Sequence, residues 1–461
     1  MEDRAQPNNA DLMGKESITK LLFRFSLPAT VGMVVAATYN VVDTMFIGWL
    51  GSEAIAALSI AFPIQMILGA IGVGIGVGAA SLISRSLGSG DNQTAEKAIG
   101  QVLSLALLFG VVVALLSLFY LRPLLVIFGA SPEILGYTED YTAVITNWAV
   151  IFFLIMSLNS VARGEGSPLF SMKVMVSSSL LNIALDPIFI FWLNMEVKGA
   201  AVATVLAKGA GASILLFHFL SGKSNVKLYF QNMILEGKII KDIYKIGFPS
   251  MLRLLSKNLS LTIINMVLAG FGHIPVAAMG LFFRLQMLIV MPVVGFSQGL
   301  LPIIGYNYGA QQSERIREAM VKGFTISTLF ISLLTLTIYL SPSTFLNLFT
   351  SEPELLSMGE YSLRIMLLMF PLLGIQIVST IFFQAIGKAV PSLILSLLRE
   401  VMLLIPLVII FSNYSGLIGV WVARPVSDLL AFIIIFTMVS RELKRQEIPF
   451  RPLAILQKEA A

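Results

Sequence analysis

Apolar runs recur twelve times along this chain, separated by short polar stretches: near 18–48, 54–84, 96–121, 138–161, 168–193, 197–221, 239–270, 275–306, 318–342, 358–386, 391–412 and 416–440. An α-helix rises about 1.5 Å per residue, so about 20 apolar residues cross a hydrocarbon core roughly 30 Å thick. The pattern predicts an all-α integral membrane protein with twelve transmembrane helices and no soluble domain. The first seventeen residues are polar and charged and lack an apolar stretch, so they read as a short tail.

The runs also repeat. A constant offset of 221 residues pairs Ile18 with Ile239, Lys20 with Lys241, Pro28 with Pro249 and Gly51 with Gly272. The same shift joins Phe62, Gln65 and Met66 to Phe283, Gln286 and Met287. It also joins Gly74, Gly78 and Gly88 to Gly295, Gly299 and Gly309, and Pro132, Glu133 and Glu139 to Pro353, Glu354 and Glu360. Six helices precede the second copy, so both copies face the same way in the membrane. Parallel repeats pack as two six-helix lobes about a pseudo-twofold axis along the membrane normal, with a cavity between them. The predicted division is an N-terminal lobe over 1–222, a linker over 223–237 and a C-terminal lobe over 238–461 that ends in a short tail.

Composition agrees with a lipid environment: 57% of residues are hydrophobic and 12% charged, with a mean hydropathy of +0.87. Lys15, Arg85, Lys97, Arg163, Lys173, Lys223, Lys227, Lys238, Arg315, Arg317, Lys388 and Arg441 fall in the tails and the even-numbered loops. The odd-numbered loops offer little beyond Arg122 and Lys198. The excess of Lys and Arg on one side places both termini and the linker in the cytoplasm of a multi-pass cell-membrane protein. The same scatter argues against nucleic acid as a partner, since no basic stripe forms. With no cysteine and two isolated histidines, disulfides, thiolate chemistry and a metal centre drop out, and no cofactor is expected.

Polar groups inside the apolar runs are the candidates for function. A carboxylate near mid-membrane costs a few kcal/mol and is tolerated mainly facing a cavity or a partner. Asp43 lies deep in the first helix, with Tyr39 and Asn40 one turn before it on the same face. Asp186 lies in the fifth helix with Asn182 one turn away; the fourth helix adds Asn159 and the sixth Thr204. The repeat places Ile264, Leu403 and Leu407 where the first copy has Asp43, Asn182 and Asp186. The polar cluster therefore belongs to one lobe. Neither acid has a Lys or Arg within a turn to neutralise it, and two interacting acids titrate as a coupled pair. Pro28 lies fifteen residues before Asp43 and is expected to kink the helix or act as a hinge.

Other signals carry less. GVGIGVG at 72–78 lies inside the second helix, without the strand and lysine of a phosphate loop, and reads as helix packing. Asn40, Tyr141, Met66, Gln286 and Met287 are candidate substrate contacts, the methionines because their side chains adapt to varied shapes. Arg253, Lys257, Arg284, Arg364, Arg399, Glu400, Arg424 and Asp428 give the second lobe internal charges, expected to pair with one another.

FSLP and IGFP open helices 1 and 7, SLISRSLGSGDNQTAEKAIGQ follows helix 2 and GYNYGAQQSERIREAM follows helix 8. With the six-plus-six repeat, these resemble the MATE family of multidrug and toxic-compound extrusion transporters over nearly the whole chain. The acids of helices 1 and 5 look like those of the DinF-type branch; the acids in helices 7 and 10 of the NorM-type pattern are absent. The resemblance implies a monomeric antiporter, not an enzyme, that expels small organic compounds, often cationic and amphipathic, while a cation enters. The expected coupling cation is H+, bound by Asp43 with Asp186, Asn182, Asn159, Thr204 and Tyr39. The oxygens of Asp43, Asp186, Asn182 and Thr204 would also suit Na+, which keeps Na+ coupling as the alternative. Lipid-linked oligosaccharide flippases share the superfamily. A large, cationic cavity open to lipid would mark a flippase; a small apolar one would mark a drug transporter.

Overall fold

A computed structural model describes residues 9–448, all helix, turn and loop, with no strand among them. Its helices are α1 Asn9–Lys15, α2 Ile18–Gly48, α3 Ser52–Gly88, α4 Asn92–Ile127, α5 Pro132–Asn147, α6 Ala149–Gly164, α7 Pro168–Pro187 and α8 Glu196–Leu220 in the first lobe. The second lobe has α9 Gly237–Ala269, α10 His273–Gly309, α11 Ser313–Leu340, α12 Pro342–Leu346, α13 Pro353–Met366, α14 Leu373–Ala385, α15 Ala389–Leu397 and α16 Ile405–Arg445. Among the described residues nine continuous helical runs are long and apolar enough to cross a bilayer, and two bent pairs add two more. Inside α16, Gly416 leaves helical geometry (φ 60, ψ −140) and divides the last run into two. The twelve spans thus follow the twelve apolar segments.

Three features depart from the linear pattern. The fourth and tenth spans are not straight: α5 meets α6 at 54° and α13 meets α14 at 50°. The bends fall at Trp148 (φ −105, ψ 22) and Met369 (φ −104, ψ 9), which are partners under the 221-residue offset. The repeat therefore holds at the level of single backbone angles. The fifth and eleventh spans carry π-helical turns, Ile188–Trp192 directly after Asp186-Pro187 and Leu398–Leu404 around Arg399-Glu400. Last, the expected tail contains α1, whose Met13 is fully buried. Asn307 and Arg315, both in the second lobe, donate to the Met13 carbonyl at 3.0 Å each, so α1 is docked across the lobes. Leu12 and Met13 are adjacent, and two neighbouring apolar positions give no helical period to detect. Residues 449–461 of the expected C-terminal tail lie outside the described residues.

The lobes meet at the end that carries α1 and the linker, hereafter the linker side. There the helices approach to backbone contact, and the sequence supplies glycine on both sides of the pseudo-axis. A methyl group at Gly88 would sit 1.9 Å from the Tyr306 carbonyl oxygen; at the repeat partner Gly309 it would sit 2.0 Å from the oxygen of Arg85, itself the partner of Tyr306. Gly74 faces Met251 as Gly295 faces Thr30, and Gly78 faces Gly247 as Gly299 faces Ser26. GVGIGVG thus lies within α3, with Gly74 and Gly78 turned to the other lobe and Gly72 and Gly76 turned to α6. Ser26 and Thr30 donate to the carbonyls of Phe296 (2.8 Å) and Pro292 (3.3 Å), and Ser81 to that of Gln384. An apolar cluster crosses the same plane, with Leu21, Leu22, Phe25 and Val77 against Leu300, Ile304 and Phe382.

The linker is docked as well. Gln101 on α4 donates to the carbonyls of Asn232 (2.8 Å) and Ile234 (2.7 Å), and Lys97 pairs with Glu236 at 3.0 Å. Glu165, fully buried, accepts from His218 at 3.1 Å, from Ser224 and from the Val226 N–H at 3.3 Å. Away from this end the repeat partner of Asp43, Ile264, sits in a hydrophobic cluster with Leu285 and Trp421. Of the eight internal charges of the second lobe four pair among themselves, Arg399 with Glu400 and Asp428 at 3.1 Å each and Arg424 with Glu400 at 3.6 Å, while Arg253 lines the interlobe cavity. Arg284 instead lies over the Phe349 ring and Arg364 over Tyr339.

Gly88→Ala and Gly309→Ala are each expected to loosen the linker-side contact by about 1–3 kcal/mol, the usual cost of overpacking. Because the chain has no cysteine, Ser89→Cys with Gln311→Cys reports the contact directly. Cross-linking of that pair should fall when either alanine is added, and an unchanged yield would show that the glycines are not required for it.

Candidate functional site

The polar residues of the first lobe fall into register because each helix spaces its side chains by one turn. α2 carries Tyr39, Asn40 and Asp43, α7 carries Asn182 and Asp186, α6 carries Asn159 and Arg163, and α8 carries Thr204 and Lys208. Packing brings these four stripes together. Asn182 Nδ2 donates to Asp186 Oδ1 at 3.1 Å and to Thr204 Oγ1 at 3.4 Å, linking α7 to α8. Lys208 Nζ donates to the Tyr39 hydroxyl at 3.0 Å, linking α8 to α2. Asp43 and Asp186 are both buried, and each lies within electrostatic reach of the other.

Three acceptor oxygens in this cluster, Asp43 Oδ1, Asp186 Oδ2 and Asn182 Oδ1, are buried without a donor from the protein. A buried acceptor left unmatched is costly, by about 1–3 kcal/mol. Such a set is completed by a proton on a carboxyl group or by a hard cation.

Beside the cluster lies a cavity of about 390 Å³. Its walls come from both lobes: α2, α3, α6, α7 and α8 of the first, and Arg253 and Leu254 of α9 with Val294 and Gln298 of α10 in the second. Tyr39, Asn40, Asn159, Asn182 and Thr204 line it, whereas Asp43 and Asp186 lie behind the wall. Pro28 falls within the continuous helix α2, and the residues that follow it on one face, Ala29, Met33 and Ala36, form part of the wall. The other candidate substrate contacts lie elsewhere. Tyr141 is buried and accepts from Gln65 at 3.1 Å, Gln286 is buried in α10, and Met66 and Met287 are exposed. Their positions in the sequence could not show which face of α3, α5 or α10 turns inward. The methionines that do line the cavity are Met33, Met156 and Met175.

Two cations at the site were not legible as site residues. Lys208 sits mid-way along α8, over the rings of Phe152 (5.1 Å) and Tyr39 (5.4 Å), and it faces the helix that bears Asp43. The absence of a basic residue within a turn of either acid is true along their own helices and is reversed across helices. Arg163, assigned to a loop by its place at the end of an apolar run, is in the last turn of α6 and lines the cavity. It donates to Asn159 Oδ1 (3.2 Å), Ser160 Oγ (2.9 Å) and Ser171 Oγ (3.2 Å). The one-turn spacings Asn159-Arg163 and Thr204-Lys208 were the signal available in the sequence.

The sequence profile of the MatE family matches residues 28–188 and again 249–410, the second match beginning as far after the first as the repeat requires. A multidrug export protein of Staphylococcus saprophyticus, MepA, is 28% identical over 432 residues, covering 93% of this chain and 95% of that protein. Among solved structures, the ligand-bound MATE multidrug transporter DinF-BH is 39% identical, with a TM-score of 0.87 over 93% of this chain and 97% of that one. A crystal structure of MATE in the bent conformation superposes with a TM-score of 0.90 at 28% identity, over 95% and 98% of the two chains. The doubled profile match, the two-lobe fold and the interlobe cavity together place this chain in the MATE family of multidrug efflux transporters.

Proposed function

We propose that the chain is a secondary active antiporter that expels organic compounds in exchange for H+ by alternating access, with both termini in the cytoplasm of the cell membrane. The observation that carries the coupling reading is the set of unmatched acceptors at Asp43, Asp186 and Asn182, of which Asn182 lines a cavity of drug-sized volume and the two acids do not. A proton arriving there removes a negative charge and supplies a donor. Protonation of Asp43 thus removes its attraction to Lys208 on α8 and its repulsion of Asp186 on α7.

Pro28 sets where that release acts. Proline removes one backbone hydrogen bond, so α2 bends most easily there. The wall residues Ala29, Met33 and Ala36 follow it, and a bend at Pro28 carries them into the cavity. Substrate and proton thus favour different shapes of α2, which is what an exchanger requires, since each ligand shifts the equilibrium only through a difference in affinity for the two states. Closure of the lobes on the linker side fits a state open to the opposite face, from which substrate leaves.

Na+ coupling is the alternative, because the same oxygens of Asp43, Asp186, Asn182 and Thr204 suit a hard cation. A flippase for lipid-linked oligosaccharide is disfavoured by the size of the cavity.

Asp43→Asn keeps the volume of the side chain and cannot cycle a proton. It is expected to abolish efflux from proteoliposomes while leaving the melting temperature in detergent within a few degrees; undiminished transport by this variant sinks the proposal. Pro28→Ala is expected to slow transport about tenfold with dye binding retained, and equal rates would remove the hinge from the mechanism. An imposed pH gradient without sodium should sustain efflux, whereas transport that responds only to a sodium gradient would replace H+ by Na+.

A further inference from the structure

The linker has two faces. Val226 and Leu228 are buried in the cluster that holds Ala98, Ile99 and Val102 of α4, and Met233 packs against it. Tyr229, Phe230, Ile234 and Leu235 stand out from the protein, Phe230 at 72% and Ile234 at 78% exposed. Four large apolar side chains gathered on one exposed face mark a contact with another protein or with a membrane.

The depth of the linker decides between the two. On α4, outward-facing apolar side chains begin at Leu107 and Leu108 and continue to Ile127. At about 1.5 Å per residue these cover about 30 Å, the thickness of a hydrocarbon core. Gln101 and Ser104 precede Leu107 by about 9 Å and about 5 Å along the same helix, the depth of the headgroup layer. These two residues hold the linker. Gln101 donates to the carbonyls of Asn232 and Ile234 and accepts from the Glu236 N–H at 3.0 Å, and Ser104 donates to the Met233 carbonyl. Gly100 permits the approach, since a methyl group there would lie 2.3 Å from the Asn232 carbonyl oxygen. Farther in, Tyr244 of α9 lies beside Phe109 of α4, ring centroids 6.5 Å apart, so both helices enter the bilayer side by side from the level of the linker. A soluble protein has no access to a face at that depth.

Charge agrees with a lipid surface. Lys223, Lys227, Lys238, Lys241 and Lys245 lie in the linker or the first turns of α9, against Glu236 and Asp242. Lys97 pairs with Glu236, Lys245 pairs with Asp242, and Lys238 has Asp91 within electrostatic reach. Lys223, Lys227 and Lys241 are exposed and form no ion pair among the described residues. Ammonium groups on long stems beside aromatic and aliphatic side chains suit the boundary of a leaflet that carries anionic headgroups.

We propose that the linker is a membrane-surface anchor: Tyr229, Phe230, Ile234 and Leu235 enter the boundary of the inner leaflet, and Lys223, Lys227 and Lys241 hold anionic lipid headgroups there. The proposal uses the cytoplasmic placement of the linker given above and is independent of the substrate and of the driving cation. Because the linker joins α8 of the first lobe to α9 of the second, its anchoring fixes the first turn of α9 at one depth while the lobes move.

The chain has no cysteine, so a bimane fluorophore attached at Phe230→Cys or Ile234→Cys reports the surroundings of each position in the full chain. Gln311→Cys, exposed on the linker side of the second lobe, is the aqueous reference. In nanodiscs, lipid with brominated acyl chains quenches a fluorophore in the bilayer, and acrylamide quenches one in water. Brominated lipid is expected to quench more strongly at 230 and 234 than at 311, and acrylamide in the reverse order. In mixed nanodiscs the label at 230 should report phosphatidylglycerol over phosphatidylcholine by about fivefold, the effect of one lysine at an anionic surface. The preference should vanish when Lys223→Gln, Lys227→Gln and Lys241→Gln are combined. All three positions are exposed, and thermal melts confirm that the variants are folded. Acrylamide quenching at 230 and 234 equal to that at 311 overturns the proposal, as does shielding from both quenchers, which marks a protein contact. Equal weighting of the two lipids, or a preference unmoved in the triple variant, overturns it too. None of these readings involves transport, so their failure leaves the antiport reading standing, and failure of that reading leaves them.

Discussion

The rest of the molecule depends on how closely the two lobes approach at the linker side. Helices whose axes come near enough for a carbonyl to meet an α-carbon leave no room for a side chain, and the contact at Gly88 and Tyr306 recurs as Gly309 and Arg85 across the pseudo-axis. Both halves of the seam use the same geometry because both descend from one six-helix unit. Within a bilayer, where apolar surface gains little by leaving lipid, this close packing and the few hydrogen bonds around it supply the association. The cavity follows from it: helices that touch at one end and carry larger side chains farther along must diverge.

Symmetry of the seam makes the asymmetry of the site interpretable. The same offset that maps glycine onto glycine maps Asp43 onto Ile264, which is buried in a hydrophobic cluster. In the second lobe Arg399 and Arg424 pair with Glu400 and Asp428 in an internal network at the π-helical turn of Arg399 and Glu400. It reaches the cavity through Arg253, Leu254, Val294 and Gln298. One lobe thus bears the titratable pair, and the cavity forms only where the other is set against it. Lys208 ties the two levels together, since its hydrogen bond to Tyr39 joins a cavity-lining cation to the helix that carries Asp43 and Pro28.

Much of the site was legible because helical spacing is a local property. Tyr39, Asn40 and Asp43, or Asn182 and Asp186, share a face wherever their helices go, and an acid in an apolar run is conspicuous. Lys208 and Arg163 were passed over for the reason that makes them informative: a long flexible side chain near the end of an apolar run can reach a loop or a cavity, and only the neighbouring helices decide which. Met66, Met287, Gln286 and Tyr141 fail in the opposite direction, since a residue inside a transmembrane helix has several faces to choose from and only packing shows which of them borders the cavity.

By itself the amino-acid order determined the number of spans, their repeat, the parallel orientation of the copies and the lobe that holds the buried acids. Each follows from hydrophobicity summed over a helix length or from register held over many residues. The tertiary structure alone decided that the fourth and tenth spans bend at Trp148 and Met369, that α1 docks on the opposite lobe, and that three cations face one cavity. These depend on interhelical angles and distances of a few ångströms. Many side chains set them jointly, and no single stretch of sequence contains them.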